Sequence, residues 1–92
     1  MIRWENSETR LSVTGHAGQA PRGQDVVCAG VSALVQTLYW SLKETRSKLK
    51  SEPFCGNFIL DKTGLDEEGK ILVRSFCLGM DLIKEEYPGY FE

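Results

Sequence analysis

Two side chains in this sequence have the types and the spacing to make a nucleophile and its base: Cys28 and His16, twelve positions apart. Sulfur attacks as a thiolate, and near neutral pH a thiol needs a base or a positive field to ionise. Histidine is the usual base, and His16 is the only one in the chain. If Asp25 caps the helix expected after it, Cys28 falls at the third helical position. Backbone N–H groups without intrahelical acceptors and the positive end of the helix dipole favour a negative charge there. The Asp25 carboxylate would pin the helix start while its own charge opposes a thiolate three residues on. Ser32 lies one turn beyond Cys28 on the same face. Taken alone, a cysteine in an apolar helix is more often inert filler, and that reading suits Cys55, in an expected strand, and Cys77, between Phe76 and Leu78.

Other chemistries fit poorly. Gly18 and Gly23 have the G-x-x-x-x-G spacing of a phosphate loop, but Gln24 and Asp25 stand where Lys and Ser or Thr are needed, and a carboxylate there repels phosphate. One His and three scattered Cys lack zinc-site spacing, so no metal and no other cofactor is expected. The Cys count is odd and there is no C-x-x-C pair, which argues against a disulfide framework or a thioredoxin-type motif.

The elements that must position these residues follow from hydrophobic periodicity. Ile2 and Trp4, then Leu11 and Val13, alternate with polar neighbours on either side of a turn-like Asn6-Ser7-Glu8, so residues 1–14 read as a β-hairpin running into Gly15-His16. Residues 17–24 hold two glycines and a proline but no large apolar side chain, which marks an exposed loop whose Gly18 and Gly23 are expected to let it close over a substrate. From Asp25 the period becomes 3.6, with Val27, Val31, Leu34, Leu38 and Leu42 on one face, and the helix is expected to reach about residue 50 before Pro53. Residues 54–60 read as a strand, 61–69 as a polar turn with Asp66-Glu67-Glu68 at its solvated tip, and 70–74 as a second strand. Phe76, Met80, Ile83 and Tyr87 then describe a shorter helix closed by Pro88-Gly89. The expected order is ββαββα, an α+β domain in two layers with two helices on a mainly antiparallel four-stranded sheet.

Composition bounds the function classes. Ninety-two residues make one domain, with 41% hydrophobic and 26% charged residues in the range of a soluble globular protein. A net charge of −2 argues against a general nucleic-acid binder. The sequence has neither a membrane-length apolar run nor the apolar core of a secretory signal near its start, so a cytoplasmic location and no membrane partner are expected. Val26, Leu38, Tyr39, Trp40 and Leu42 do not fit one helical stripe, which predicts a homodimer.

The same residues carry a resemblance. Gly15-His16-Ala17, five residues, Gly23-Gln24-Asp25, the aliphatic pair Val26-Val27, Cys28-Ala29 and Val31-Ser32-Ala33-Leu34 closely resemble the motif of the ribosomal-processing cysteine protease family, Prp. Leu78-Gly79 through Ile83 to Glu86-Tyr87-Pro88 also look like the family, so the likeness spans nearly the full chain. The chain departs from the pattern at Gly30, where Ala is common. The resemblance implies that Cys28 is the nucleophile and His16 the general base, with Gly15, Asp25 and Ser32 as supporting positions. It implies as substrate the short N-terminal extension of a bacterial large-subunit ribosomal protein, and a homodimeric enzyme. The alternative from another class is a noncatalytic ribosome- or protein-binding module that uses the basic end of the long helix, where residues 41–50 carry four positive charges and one negative.

Overall fold

The structure is a computed structural model, and it describes residues 1–15, 26–48 and 57–92. Strand β1 (Arg3–Asn6) and strand β2 (Arg10–Thr14) form the expected hairpin, with Trp4 opposite Val13 and Asn6 opposite Leu11. The Ser7 hydroxyl closes its turn by donating to the Arg10 carbonyl. Helix α1 (Val26–Leu42) follows, then strand β3 (Asn57–Asp61), a 3-10 turn (Lys62–Gly64), helix α2 (Glu67–Glu86) and a second 3-10 turn (Pro88–Tyr90). Among the described residues the sheet is three-stranded and antiparallel, in the order β1-β2-β3.

Alternation along the strands places Leu11, Val13, Phe58 and Leu60 on the helix-covered face, while their neighbours Arg10, Ser12, Asn57 and Ile59 face away. The Phe76 ring of α2 fills the middle of this layer, edge-on to Trp4 at 5.6 Å and to Phe58 at 6.5 Å between centroids. Truncating Phe76 to Ala would remove these contacts and cost about 3–5 kcal/mol. The two helices run antiparallel: Gly30 faces Ile83, Leu34 faces Gly79, and Leu42 lies beside Gly69. Gly79 makes the approach possible, since a Cβ there would come within 3.0 Å of both Leu34 methyl carbons.

The expectation of a two-layer α+β fold holds, but that of four strands does not. The segment 70–74 belongs to α2. Ile71 and Val73 alternate as a strand would, yet Ile71 is 56% exposed and Val73 3% exposed because the burial runs Gly69, Val73, Phe76, Met80 at helical spacing. Nor is Asp66-Glu67-Glu68 a loop tip. Asp66 caps α2 by accepting from the Gly69 N–H at 2.7 Å, and Glu67 and Glu68 form the acidic first turn.

Helix α1 is also shorter than expected. It stops at Leu42, where the Thr45 hydroxyl takes up the Leu42 carbonyl, so 17 residues span about 25 Å. Leu38, Tyr39 and Leu42, expected to need a partner subunit, are buried within this chain, while Val26 and Trp40 remain exposed.

Candidate active site

Cys28 is the third residue of α1 and half-buried. Val27 beside it is 2% exposed and anchors the first turn in the core, while Cys28 packs against the edge of that core. The first four N–H groups of a helix have no acceptor within it, and the first turn of α1 itself, from Val26, contains no acidic residue. A thiolate, or the oxyanion formed when it attacks a carbonyl, is the kind of charge such an end stabilises. Ser32, one turn on, is exposed.

The residue before the other half of the expected dyad sits at the end of the sheet. Strand β2 ends at Thr14, and Gly15 follows with φ +84°. Only glycine adopts that backbone readily, and a Cβ at this position would also strike the Met1 carbonyl oxygen. Gly15 is therefore fixed by conformation and by crowding at once. His16, Gly18, Gly23 and Asp25, named from the sequence, lie outside the described residues, as does Cys55.

Topology brings Gly15 and Cys28 to one end of the molecule. Because α1 and α2 are antiparallel, the first turn of α1 lies beside the last turns of α2, with Gly30 against Ile83. The chain then passes through Pro88–Tyr90 to Phe91, which bridges in parallel to Ile2, next to the Met1 carbonyl that backs Gly15. Sequence reading missed this bridge, since its partners are separated by almost the whole chain and share no local pattern.

Cys77 shows the contrast. It is a half-buried thiol in the middle of α2, and the Asn6 amide donates to its sulfur at 3.5 Å. Burial pushes the Cys77 thiol above its ordinary range, nearby Lys62 draws it down and Asp81 pushes it up, with burial the strongest influence. The basic stretch after α1 is partly committed to structure. The Lys43 ammonium lies 5.2 Å from the centre of the Tyr39 ring, and the Arg46 N–H donates to Asp66 at 2.9 Å.

Comparison with known proteins agrees with this geometry. The ribosomal processing protease Prp from S. aureus, solved with a covalently linked product peptide, is 24% identical and superposes with a TM-score of 0.86 over the whole of this chain and 96% of its own. The same protease solved with a substrate peptide gives 23% identity and a TM-score of 0.77 over the same shares. The protein SMU.848 from Streptococcus mutans is 26% identical, with a TM-score of 0.71 over 99% of this chain and 88% of its own. No curated protein sequence is a match for the chain. The family model for the cysteine protease Prp matches residues 1–92, and with a cysteine opening α1 at the end of the molecule where β2 delivers the residue before His16, the chain belongs to the Prp family of cysteine proteases.

Proposed function

We propose that this protease removes the short N-terminal extension of a bacterial large-subunit ribosomal protein, with Cys28 as nucleophile and His16 as general base. The observation that carries the reading is the place of Cys28 in the first turn of α1, within a chain matched to the family along its length. The S. aureus relative is described as a ribosomal processing protease and was captured with a covalently linked product peptide, in keeping with a nucleophile that bonds to its substrate.

In this reading the Cys28 thiol gives its proton to His16 and the sulfur attacks the scissile carbonyl. The tetrahedral intermediate collapses as His16 passes the proton to the departing amine, the new N-terminus of the ribosomal protein. A thioester to the extension remains. His16 then takes a proton from water, which attacks the thioester and restores the thiol. Gly15 sets the direction from which His16 leaves the sheet, Asp25 holds the start of α1, and Ser32 lines the approach on the same helix face. Gly18 and Gly23 supply the backbone freedom for residues 17–24 to close over an extended peptide.

The working enzyme is proposed to be a cytoplasmic homodimer. Val26 and Trp40 on α1 and Ile71, Leu78 and Leu82 on α2 are exposed apolar side chains that a second copy would cover. Among the described residues no helix is long and apolar enough to cross a membrane. Sedimentation equilibrium should find a dimer at micromolar concentration. A species of 10.3 kDa alone would contradict it.

The test is cleavage of a peptide spanning an extension that ends in an aromatic pair before a small residue, the cleavage sequence that the resemblance to the family implies. Cys28→Ala and His16→Ala should each abolish turnover, while Cys77→Ala should leave the rate per folded molecule nearly unchanged. Undiminished turnover by Cys28→Ala would overturn the assignment.

A further inference from the structure

Residues 83–92 touch both sides of the site. On the cysteine side, the Ile83 Cδ1 atom lies against Gly30, where a Cβ would sit 3.4 Å from it, two residues beyond Cys28. On the histidine side, the chain after α2 is laced to the start of β1. The Ile2 N–H donates to the Tyr90 carbonyl at 2.9 Å, and the Glu92 N–H donates to the Ile2 carbonyl at 2.8 Å. The Arg3 guanidinium meets the Glu92 carboxylate through two nitrogens, Nε at 2.9 Å and Nη2 at 2.8 Å. Ile2 and Phe91 are 1% and 5% exposed, so the bridge is sealed by apolar packing.

The consequence for the site runs through Met1. Its carbonyl stands so close to Gly15 that no Cβ fits between them, and Gly15 is the residue bonded to His16. Whatever fixes Ile2 fixes Met1, and Met1 limits where the chain can leave β2. On the cysteine side the contact is ordinary packing, with Ile83 lying over Gly30 in the first turns of α1. The two halves of the site sit on different elements, the end of β2 and the start of α1, and one distant segment, residues 83–92, meets both.

We infer that residues 83–92 form a brace that sets the spacing of the two halves of the active site, with Phe91 as a positioning residue for the histidine side. This rests on the reading of His16 as the general base. Phe91 touches no reacting atom in this account. Its buried side chain anchors in the core the backbone that bonds to Ile2 on either side of it, at Tyr90 and Glu92, and through Met1 this limits the position of Gly15. A misplacement of a catalytic group by about 1 Å can cost up to about a hundredfold in rate, so a loosened brace acts on kcat more than on peptide binding.

The experiment measures kcat and KM for the extension peptide, per folded molecule, in Phe91→Ala, Phe91→Leu, Arg3→Ala and His16→Ala. Phe91→Ala should lower kcat about tenfold with KM within about twofold, and Phe91→Leu should restore most of it. Arg3→Ala, an exposed change that leaves the core intact, should lower kcat about twofold to threefold, and it decides the matter if Phe91→Ala does not fold. Parental kcat in Phe91→Ala, despite a lowered melting temperature, would mean that the bridge only stabilises and would overturn the brace. Parental kcat in Arg3→Ala where Phe91→Ala is unfolded would do the same. Turnover surviving His16→Ala would bring down the dyad reading itself, whereas an inactive His16→Ala beside a fully active Phe91→Ala would bring down the brace alone.

Discussion

The first turns of the two helices differ in charge. At the start of α2, Asp66 accepts from the Gly69 N–H at 2.7 Å, from the Ser47 hydroxyl at 2.9 Å and from the Arg46 N–H at 2.9 Å, and Glu67 and Glu68 add two more carboxylates. The donors and the positive helix end are met by the protein's own charges, and the Asp66 site also ties α2 to the stretch after α1. The first turn of α1 holds no acidic residue and carries Cys28 instead. One physical feature, a helix N-terminus, stabilises the fold in the first case and, in the proposed mechanism, serves a reacting sulfur and a developing oxyanion in the second, with Asp25 as its one expected carboxylate. A helix start filled with carboxylates cannot do both.

The largest expected effect is the difference between the two described thiols. Iodoacetamide at pH 7 should modify Cys28 at least about tenfold faster than Cys77, since burial holds the Cys77 thiol in its neutral form. Peptide mapping by mass spectrometry reads the ratio. Equal rates would remove the special status of the α1 start.

Giving α1 the character of α2 is the next test. Val26 is 68% exposed at the first position of α1, so Val26→Glu should fold and even steady the helix. The added charge beside the sulfur should slow both alkylation of Cys28 and peptide cleavage about threefold at low salt, with the loss shrinking as salt rises. Salt-independent kinetics equal to the parent's would break the electrostatic half of the comparison.

The reverse test removes the charge from α2. Asp66→Asn should leave kcat unchanged and lower the melting temperature by about 5 °C near neutral pH. The Gly69 N–H first, with the Ser47 hydroxyl and the Arg46 N–H, holds the Asp66 carboxyl below its ordinary value of 3.8, against a smaller opposing effect of burial. A depressed carboxyl contributes stability that is fully present above its unfolded value and is lost as pH falls through the folded one. The gap between parent and Asp66→Asn should therefore be constant from pH 7 down to about 5 and close below about 4 in thermal melts. A gap that widens in acid would mean that the sign is wrong.

The smallest effect is expected from Gly30→Ala. A methyl group would meet Ile83 Cδ1 at an ordinary contact distance, and a helix-interior glycine gives way to alanine with a gain of about 0.5–1 kcal/mol. Denaturant titration should show this gain with kcat preserved.

The two helix starts also explain what the sequence could tell. Cys28 and His16 stand out in the sequence because the proposed nucleophile, the proposed base and the glycines between them lie within one short stretch. The 3.6 period of α1 was legible because its buried face, from Val27 to Leu42, is almost wholly apolar. Residues 70–74 were misread because Ile71 and Val73 sit two apart, and two apolar residues at that spacing fit a strand as well as a helix. The capping signal that decides the matter, Asp66 followed by Glu67 and Glu68, was present but looks like a surface charge run when Gly69 is taken for a turn. The Ile2–Phe91 bridge was beyond reach, because it is made of backbone hydrogen bonds between distant segments with no periodicity of their own.

The central claim is that the sulfur opening α1 performs the cleavage, and titration of that sulfur against activity tests it most directly. The protein is modified with limiting iodoacetamide, and each sample is split between peptide mapping and a cleavage assay. The account predicts that residual activity falls in direct proportion to the fraction of Cys28 modified and reaches zero when that fraction is complete, whatever the state of Cys77. Activity that persists with Cys28 fully modified would contradict it.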